Sequence, residues 1–173
     1  MLGASNPQTR WTFAFRFVDT DQKRPRWRLT LDYRINPRLL VGVEYNPAVK
    51  EFNPLRLTYD LTQETARTPL ISLGTSSDRI GSPKGTQMYY LTVAKTLPKT
   101  RLAPYVSLAY SEWEDGFNFP FGLYWHLHPR WNLLAMNDGR KSHLLLTHRW
   151  RNGWVTVGWF WLKTFGVSVG WGF

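Results

Sequence analysis

Hydrophobic and polar residues alternate along most of the chain with a period of two. In the segment 11–18, aromatic residues occupy Trp11, Phe13, Phe15 and Phe17, and smaller or charged residues lie between them. A period of two places the two sets on opposite faces of a β-strand, whereas a helix repeats every ~3.6 residues. The pattern therefore predicts an all-β protein whose strands each have one apolar and one polar face.

The alternation predicts twelve strands. They lie near residues 11–18, 27–35, 39–46, 55–62, 69–77, 87–96, 101–111, 120–128, 131–136, 142–150, 154–161 and 164–173. The fifth, ninth and tenth of these have the weakest patterns, so ten strands is the alternative count. No tandem repeat and no long Pro/Gly/Ser segment divides the chain, and we therefore expect residues 1–173 to form one domain.

Two kinds of connection join the predicted strands. Short turns rich in Pro, Asn and Gly lie at 36–38, 97–100, 128–130 and 151–153. Longer polar loops lie at 19–26, 47–54, 78–86, 112–119 and 137–141. Long loops at one rim and tight turns at the other are typical of transmembrane β-barrels. An even number of antiparallel strands places both termini at the short-turn rim.

The size of the apolar residues favours a membrane barrel over a soluble one. A soluble barrel of this size has no room for rows of Trp, Phe, Tyr and Leu from strand after strand. Facing outward, the same rows form a lipid-facing band around a polar lumen. We therefore predict an antiparallel transmembrane β-barrel, with a soluble fold and an aromatic core as the alternative.

The chain contains ten tryptophans, and many of them fall at the ends of predicted strands. Amphipathic rings at such positions contact the boundary between lipid and water. The tryptophans that we assign to these aromatic belts are Trp11, Trp27, Trp131, Trp150, Trp154 and Trp171.

The last predicted strand carries the most specific motif. Its apolar residues alternate up to a terminal phenylalanine, and they are Phe165, Val167, Val169, Trp171 and Phe173. Such a strand resembles the assembly signal of bacterial outer-membrane β-barrel proteins. The resemblance implies a place in the outer membrane, insertion by the barrel-assembly machinery and both termini in the periplasm. Residues 1–10 lack the apolar core of a secretory signal, so we expect a mature chain.

Lysine and arginine number 22 against 12 acidic residues, a formal net charge of +10. Such an excess favours a polyanionic partner. Basic residues interleave with aromatic ones, as in single-strand nucleic-acid binders, but they are scattered over turns, loops and lumen. We therefore expect them to contact anionic lipid headgroups at both rims, and we expect no nucleic-acid partner and a monomer.

Eight charged residues are expected to face the lumen as pore-lining residues. They are Arg16, Arg28, Asp32, Arg34, Glu44, Arg56, Asp60 and Arg149. Pairing of neighbouring strands predicts two clusters among them, Arg28 with Glu44 and Arg56, and Arg34 with Asp32 and Asp60. Glycine, serine and alanine on the fifth, seventh and twelfth strands are expected to leave the other wall nearly bare.

Two interpretations of this lumen stay open. The charged residues can neutralise one another and rigidify the wall, which gives a structural barrel that conducts nothing. They can also line a narrow passive pore in which the excess of arginine gives a mild preference for anions. Volume left beside the small residues favours the pore, and twelve strands keep it narrow.

A lipid-modifying outer-membrane enzyme is the alternative function, since such enzymes activate a serine with a histidine. The histidines available for this role are His126, His128, His143 and His148. No serine and acid are clearly placed beside any of them, and His126 and His128 lack a third metal ligand. The chain contains no cysteine, which excludes thiolate metal sites and cysteine nucleophiles. We expect no catalytic site, no metal and no cofactor.

Overall fold

The computed structural model describes residues 9–173, which form a closed antiparallel β-barrel. Its strands are β1 Trp11–Val18, β2 Trp27–Asn36, β3 Leu39–Asn46, β4 Glu51–Thr62, β5 Leu70–Ser77, β6 Gln87–Ala94, β7 Leu102–Ser111, β8 Gly116–Asn118, β9 Phe121–His128, β10 Trp131–Asn137, β11 Ser142–Arg149, β12 Gly153–Phe160 and β13 Thr164–Gly172. Helix α1 (Lys23–Arg26) and a 3-10 turn (Pro47–Val49) lie in connections. No helix in the described part of the chain is both long and apolar enough to cross a membrane.

Twelve of the strands close the ring, which confirms the predicted count. Each pairs with its neighbour in the chain, except that β7 pairs with β9 and the three-residue β8 branches from the end of β7. The seam lies between β1 and β13, where the N–H groups of Trp11 and Phe173 each donate to the other's carbonyl oxygen, at 2.9 and 3.0 Å. Closure removes unpaired sheet edges, as a structure in lipid requires.

The strand bounds differ from the predicted ones mainly in two long loops. β8 lies inside the segment 112–119, which the sequence predicts to be loop. β4 begins at Glu51, four residues before its predicted start, because Glu51 and Asn53 continue the ladder to β3. Pro54 follows at a register shift in this ladder, where a residue without an N–H group is tolerated. Proline and polar residues at this end of β4 interrupt the alternation of apolar and polar residues, so the pattern does not predict the start of the strand.

Burial is inverted relative to a soluble protein. Among residues 9–173, twenty polar or charged residues are buried, against six hydrophobic ones. Large apolar residues on the outer face are exposed along successive strands, as at Phe13 (41%), Leu91 (41%), Val106 (50%) and Phe165 (62%). An exposed apolar surface that surrounds the whole molecule matches a lipid-facing band.

Aromatic rings collect at the short-turn rim. Trp131, His148, Trp150 and Trp171 form a row of ring contacts with centroid separations of 4.6, 6.3 and 6.5 Å. The tryptophans of the predicted belts that face outward are 36–49% exposed, and they are Trp11, Trp27, Trp131, Trp150 and Trp171.

The assignment of Trp154 to an outer belt is wrong. Trp154 is 6% exposed and its side chain lines the barrel interior. In β12, Trp154 and Phe160 have the inward parity, whereas Val157 and Trp159 have the outward one. The interior accepts the indole because Gly170 lies directly opposite on β13, and a β-carbon at position 170 would overlap the ring.

Candidate functional site

A cavity of about 490 Å³ occupies the interior of the barrel. Each of the twelve barrel strands contributes at least one side chain to its wall. The cavity reaches from Thr12 and Leu40, the second residues of β1 and β3 at the short-turn rim, to Asp78 and Asp138 in loops at the long-loop rim. It therefore extends along the barrel axis over most of the height of the strands.

One side of the cavity is a charged wall formed by β1, β2 and β4. Glu44 Oε2 lies 2.6 Å from Arg28 Nη2 and 3.6 Å from Arg56 Nη1. Arg56 donates hydrogen bonds from Nε and Nη2 to the two carboxylate oxygens of Asp32, at 3.0 and 3.3 Å. The structure thus brings Arg28, Glu44 and Arg56 together, as the strand pairing predicts.

Asp32 belongs to this cluster and not to the separate one that the sequence predicts with Arg34 and Asp60. Gly42 on β3 lies in register between Asp32 on β2 and Arg56 on β4. A β-carbon at position 42 would overlap the carboxylate of Asp32. Because Gly42 has none, Arg56 reaches Asp32 across the intervening strand.

Five of the eight predicted pore-lining residues face the cavity, and they are Arg16, Arg28, Asp32, Arg56 and Arg149. The other three do not line it. Glu44 is 2% exposed and lies beneath the arginines that it neutralises. Arg34 and Asp60 are half-buried near the ends of β2 and β4, closer to the short-turn rim than Asp32 and Arg56.

Arg16 differs from Arg28 and Arg56 in that no carboxylate of the described residues forms an ion pair with it. It lies directly opposite Arg28 in the β1–β2 ladder and opposite Ser168 in the β1–β13 ladder. Like charges at directly opposed positions repel. The Nε atoms of Arg16 and Arg28 are both buried and have no hydrogen-bond partner among the described residues. The charged wall therefore carries guanidinium hydrogen-bonding capacity that its carboxylates do not satisfy.

The rest of the cavity carries an aromatic wall, to which Tyr105 and Tyr124 contribute from β7 and β9, and Trp154 and Phe160 from β12, two strands from β1. The sequence predicts that small residues leave part of the lumen bare, and this expectation is wrong. Phe160 packs over Gly158 and Gly166, where a β-carbon would approach its ring within 3.0 Å. Trp154 covers Gly170 in the same way. Glycines in this wall therefore provide space for inward rings, and the cavity is what the rings leave open.

The loop 78–86 lies across the long-loop rim and is anchored at its first residues. Asp78 accepts a hydrogen bond from the Ser111 hydroxyl at 2.6 Å. The buried guanidinium of Arg79 forms an ion pair with Glu114 and lies 4.8 Å from the ring centroid of Trp113. Arg140 approaches the same carboxylate at 3.0 Å. One glutamate thus joins three loops.

The other end of this loop is anchored by Arg24 and Glu51. Arg24 donates to the Ser82 hydroxyl at 2.5 Å and pairs with Glu51 at 2.7 Å. Glu51 also accepts a hydrogen bond from the Gly85 N–H at 2.7 Å. These contacts narrow the opening at the long-loop rim. From the sequence, this loop can be recognised only by its charge and length. Loops lack the periodicity from which the contacts of their side chains can be inferred.

Two carboxyl groups in the loops of this rim have lowered pKa values. Partial burial by itself would raise the pKa of Glu114, but hydrogen bonds and charge from Arg79 and Arg140 outweigh it and lower the pKa. Burial likewise opposes ionisation of Asp138, and the hydrogen bonds from His143 and from two backbone N–H groups outweigh it and lower the pKa. Both groups are therefore carboxylates at neutral pH.

The histidines take structural positions. His143 Nε2 lies 3.0 Å from Asp138, and its Nδ1 accepts the backbone N–H of Trp161 at 3.3 Å, so both ring nitrogens are occupied. His126 hydrogen-bonds to Asn132 at 2.7 Å. Within residues 9–173, no group of three or more His, Asp or Glu residues is placed to hold a metal ion.

Comparisons with known proteins relate this architecture to porins. No protein-family model and no curated protein matches the sequence. Among solved structures, the barrel is similar to the KdgM porin, with a TM-score of 0.57, 14% identity and coverage of 94% of this chain and 98% of that one. It is also similar to the NanC porin, with a TM-score of 0.55, 9% identity and the same coverage. The chain therefore has the fold of these outer-membrane β-barrels.

Proposed function

We propose that the protein is a narrow passive pore of the bacterial outer membrane for small solutes or ions. The observation that carries the proposal is the cavity of about 490 Å³, which all twelve barrel strands line and which extends nearly from rim to rim. Two proteins of the same fold are named porins. The lipid-facing outer surface and the aromatic belts support the location in a membrane.

A mild preference for anions is the finer part of this proposal. Five arginines line the cavity against three aspartates. An excess of fixed positive charge along a narrow path favours anions because the low-dielectric wall around the lumen focuses the field into it. Part of the charge is neutralised within the cluster of Arg28, Arg56, Asp32 and Glu44, so the preference is moderate.

Recordings in planar lipid bilayers test both statements. We expect a small, steady conductance, and a reversal potential in a KCl gradient that indicates mild anion preference. The variant Arg16→Gln should reduce this preference. The matched control Arg130→Gln, at an exposed residue of a short turn, should change it little. A barrel that inserts but conducts nothing contradicts the pore and favours a structural role.

An enzymatic role is the less supported alternative. The His143–Asp138 pair resembles part of a catalytic triad, but both nitrogens of His143 are engaged and neither contacts a serine hydroxyl among the described residues. A lipase or deacylase assay in detergent checks this inference. Activity that disappears in His148→Ala or His143→Ala would favour the enzyme.

We further propose that the last strand directs assembly and that the rims contact lipid phosphates. Phe165, Val169, Trp171 and Phe173 are 42–63% exposed on the outer face of the barrel, where an assembly factor could bind them before closure. Deletion of Phe173 should slow insertion into the outer membrane in cells. Exposed basic residues of the loops and turns are suited to anionic headgroups. Binding to vesicles with and without anionic lipid tests that contact.

A further inference from the structure

The lumen has two chemically different walls, and they adjoin because only β13 separates β1 from β12. The charged wall presents Arg16, Arg28 and Arg56, and the aromatic wall presents Trp154, Phe160 and Tyr124. A volume of about 490 Å³ lies within the range of sites that enclose small molecules, which combine apolar surface with a few charged groups. This arrangement is more specific than a water-filled passage requires.

The charged wall has capacity for an additional anion. Glu44 already has its own partners, since its Oε1 accepts from Ser77 at 2.7 Å and Asn46 at 3.0 Å and its Oε2 lies 2.6 Å from Arg28. Asp32 accepts two hydrogen bonds from Arg56. Neither carboxylate pairs with Arg16, whose buried Nε has no hydrogen-bond partner among the described residues. A half-buried cation that faces an enclosed lumen is stabilised by an anionic ligand.

Hydroxyl groups connect Arg16 with the aromatic wall. Arg16, Ser168, Thr156 and Thr147 are opposed in turn across β1, β13, β12 and β11, and all four line the cavity. Thr147 and Thr156 hydrogen-bond to each other at 2.8 Å. Those two hydroxyls are thus already partnered, which leaves Arg16 as the strongest unsatisfied polar group of this row.

The aromatic wall offers packed ring surface to a solute. Trp154 is held against Gly170, and Phe160 is held against Gly158 and Gly166. Leu134 and Leu145 line the same side. A planar apolar ring gains contact area against Trp154 and Phe160, and the hydroxyls of Thr147 and Thr156 on this side already hydrogen-bond to each other.

We propose that the lumen binds an amphipathic organic monoanion, an apolar ring that carries one carboxylate. The carboxylate binds at Arg16 and Arg28, and the ring packs against Trp154 and Phe160. This inference rests on the proposed function in that it names the class of solute that the pore admits. An inorganic anion uses only the first wall, and a neutral ring uses only the second.

Three probes of similar size separate the contribution of the carboxylate from that of the ring. Phenylacetate has a ring and a carboxylate, glucuronate has a carboxylate without an apolar face, and benzyl alcohol has a ring without a charge. Binding is measured by calorimetry with the barrel in detergent, and titration into protein-free micelles subtracts partitioning. We expect phenylacetate to bind about tenfold more tightly than either of the others, the factor that one charge-assisted hydrogen bond or one well-packed ring supplies.

Two variants test which residues contact the carboxylate and the ring. Arg16→Gln should lower phenylacetate affinity about tenfold and leave benzyl alcohol unchanged, because it removes only the charge. Trp154→Leu should weaken both ring-bearing probes and leave glucuronate unchanged. The matched controls are Arg130→Gln in a short turn and Trp125→Leu on the outer face, where the side chain is 47% exposed. Neither control should alter binding.

The outcomes distinguish this inference from the pore itself. Equal affinity for phenylacetate and glucuronate overturns the inference even when the barrel conducts ions. Unchanged phenylacetate affinity in both Arg16→Gln and Trp154→Leu overturns it as well. Selective binding by a barrel that does not conduct KCl refutes the pore and supports the site. Calorimetry measures binding whether or not the barrel conducts, and gel migration without heating reports whether each variant is folded. Each result therefore decides either the proposed pore or the proposed binding site.

Discussion

The charge on Glu44 should be essential for the stability of the barrel. Glu44 is 2% exposed and lies 2.6 Å from Arg28 and 3.6 Å from Arg56. Glu44→Gln keeps the size of the side chain and an oxygen that accepts from Ser77 and Asn46. It removes the negative charge and places an amide NH2 group where Oε2 lies beside Arg28, and thereby leaves buried positive charge without its closest partner.

The expected loss is about 3 kcal/mol in the free energy of unfolding. Removal of one partner from a buried ion pair costs about 3–5 kcal/mol. The lower end applies here because Arg28 retains 21% exposure to the cavity and because Asp32 still neutralises Arg56. A surface pair provides the contrast, since its loss costs at most about 1 kcal/mol.

Urea unfolding of the barrel in lipid vesicles measures this difference through tryptophan fluorescence and gel migration. The matched control is Glu64→Gln, whose carboxylate is 36% exposed and lies 3.7 Å from Lys95. A second change, Arg28→Gln in the Glu44→Gln background, should restore part of the loss because it removes the unpaired charge. If Glu44→Gln costs no more than Glu64→Gln, the reasoning about a buried charged cluster is refuted.

Two further changes test the aromatic wall and the long-loop rim. Gly170→Ala should destabilise the barrel by about 1–3 kcal/mol in the same unfolding assay, because the new β-carbon overlaps Trp154. Acidification should loosen the long-loop rim only below pH 4.5, the ordinary pKa of glutamate. The pKa of Glu114 in the folded barrel is lower than this, so its ion pair with Arg79 is complete above pH 4.5. The ion pair is lost as the pH falls through the lowered pKa of Glu114. Conductance should therefore be constant from pH 7 to about pH 5 and should change at lower pH.

Each of these two has a control. Gly116→Ala, where the nearest atom to a new β-carbon is 3.6 Å away, should leave stability nearly unchanged, and equal losses at both glycines contradict the packing argument. Glu114→Gln should have at neutral pH the conductance that the unsubstituted protein reaches in acid. A change in conductance centred near neutral pH would point to another group.

Strand alternation carries most of the fold, because each residue of a two-faced strand must satisfy lipid on one side and the lumen on the other. It fails where one strand has large aromatic residues of both parities. In β12, Trp154 and Trp159 have opposite parity and cannot both contact lipid. The parity of the other residues in β12 places Trp159 toward lipid and Trp154 toward the lumen. Position near a strand end, taken alone, assigns both tryptophans to the lipid-facing belts.

The candidate site was less accessible to sequence reasoning, because its partners depend on registers across more than one ladder. The contact between Arg56 and Asp32 passes over Gly42 on the intervening strand. Pairing of adjacent strands places Arg28 near Glu44, but the reach of Arg56 depends on which residue of β3 lacks a side chain. The ion pairs of Glu114 lie in loops, where no period fixes the partners.

Glycine positions therefore set the chemistry of the lumen as much as the charged residues do. Gly170 provides room for the inward ring of Trp154, and Gly42 provides room for the contact between Arg56 and Asp32. A wall of small residues in the sequence thus indicates where large side chains from neighbouring strands lie, and does not indicate empty volume. Because both walls depend on such pairs, enlarging a glycine should alter the cavity more than trimming a charged side chain that faces it.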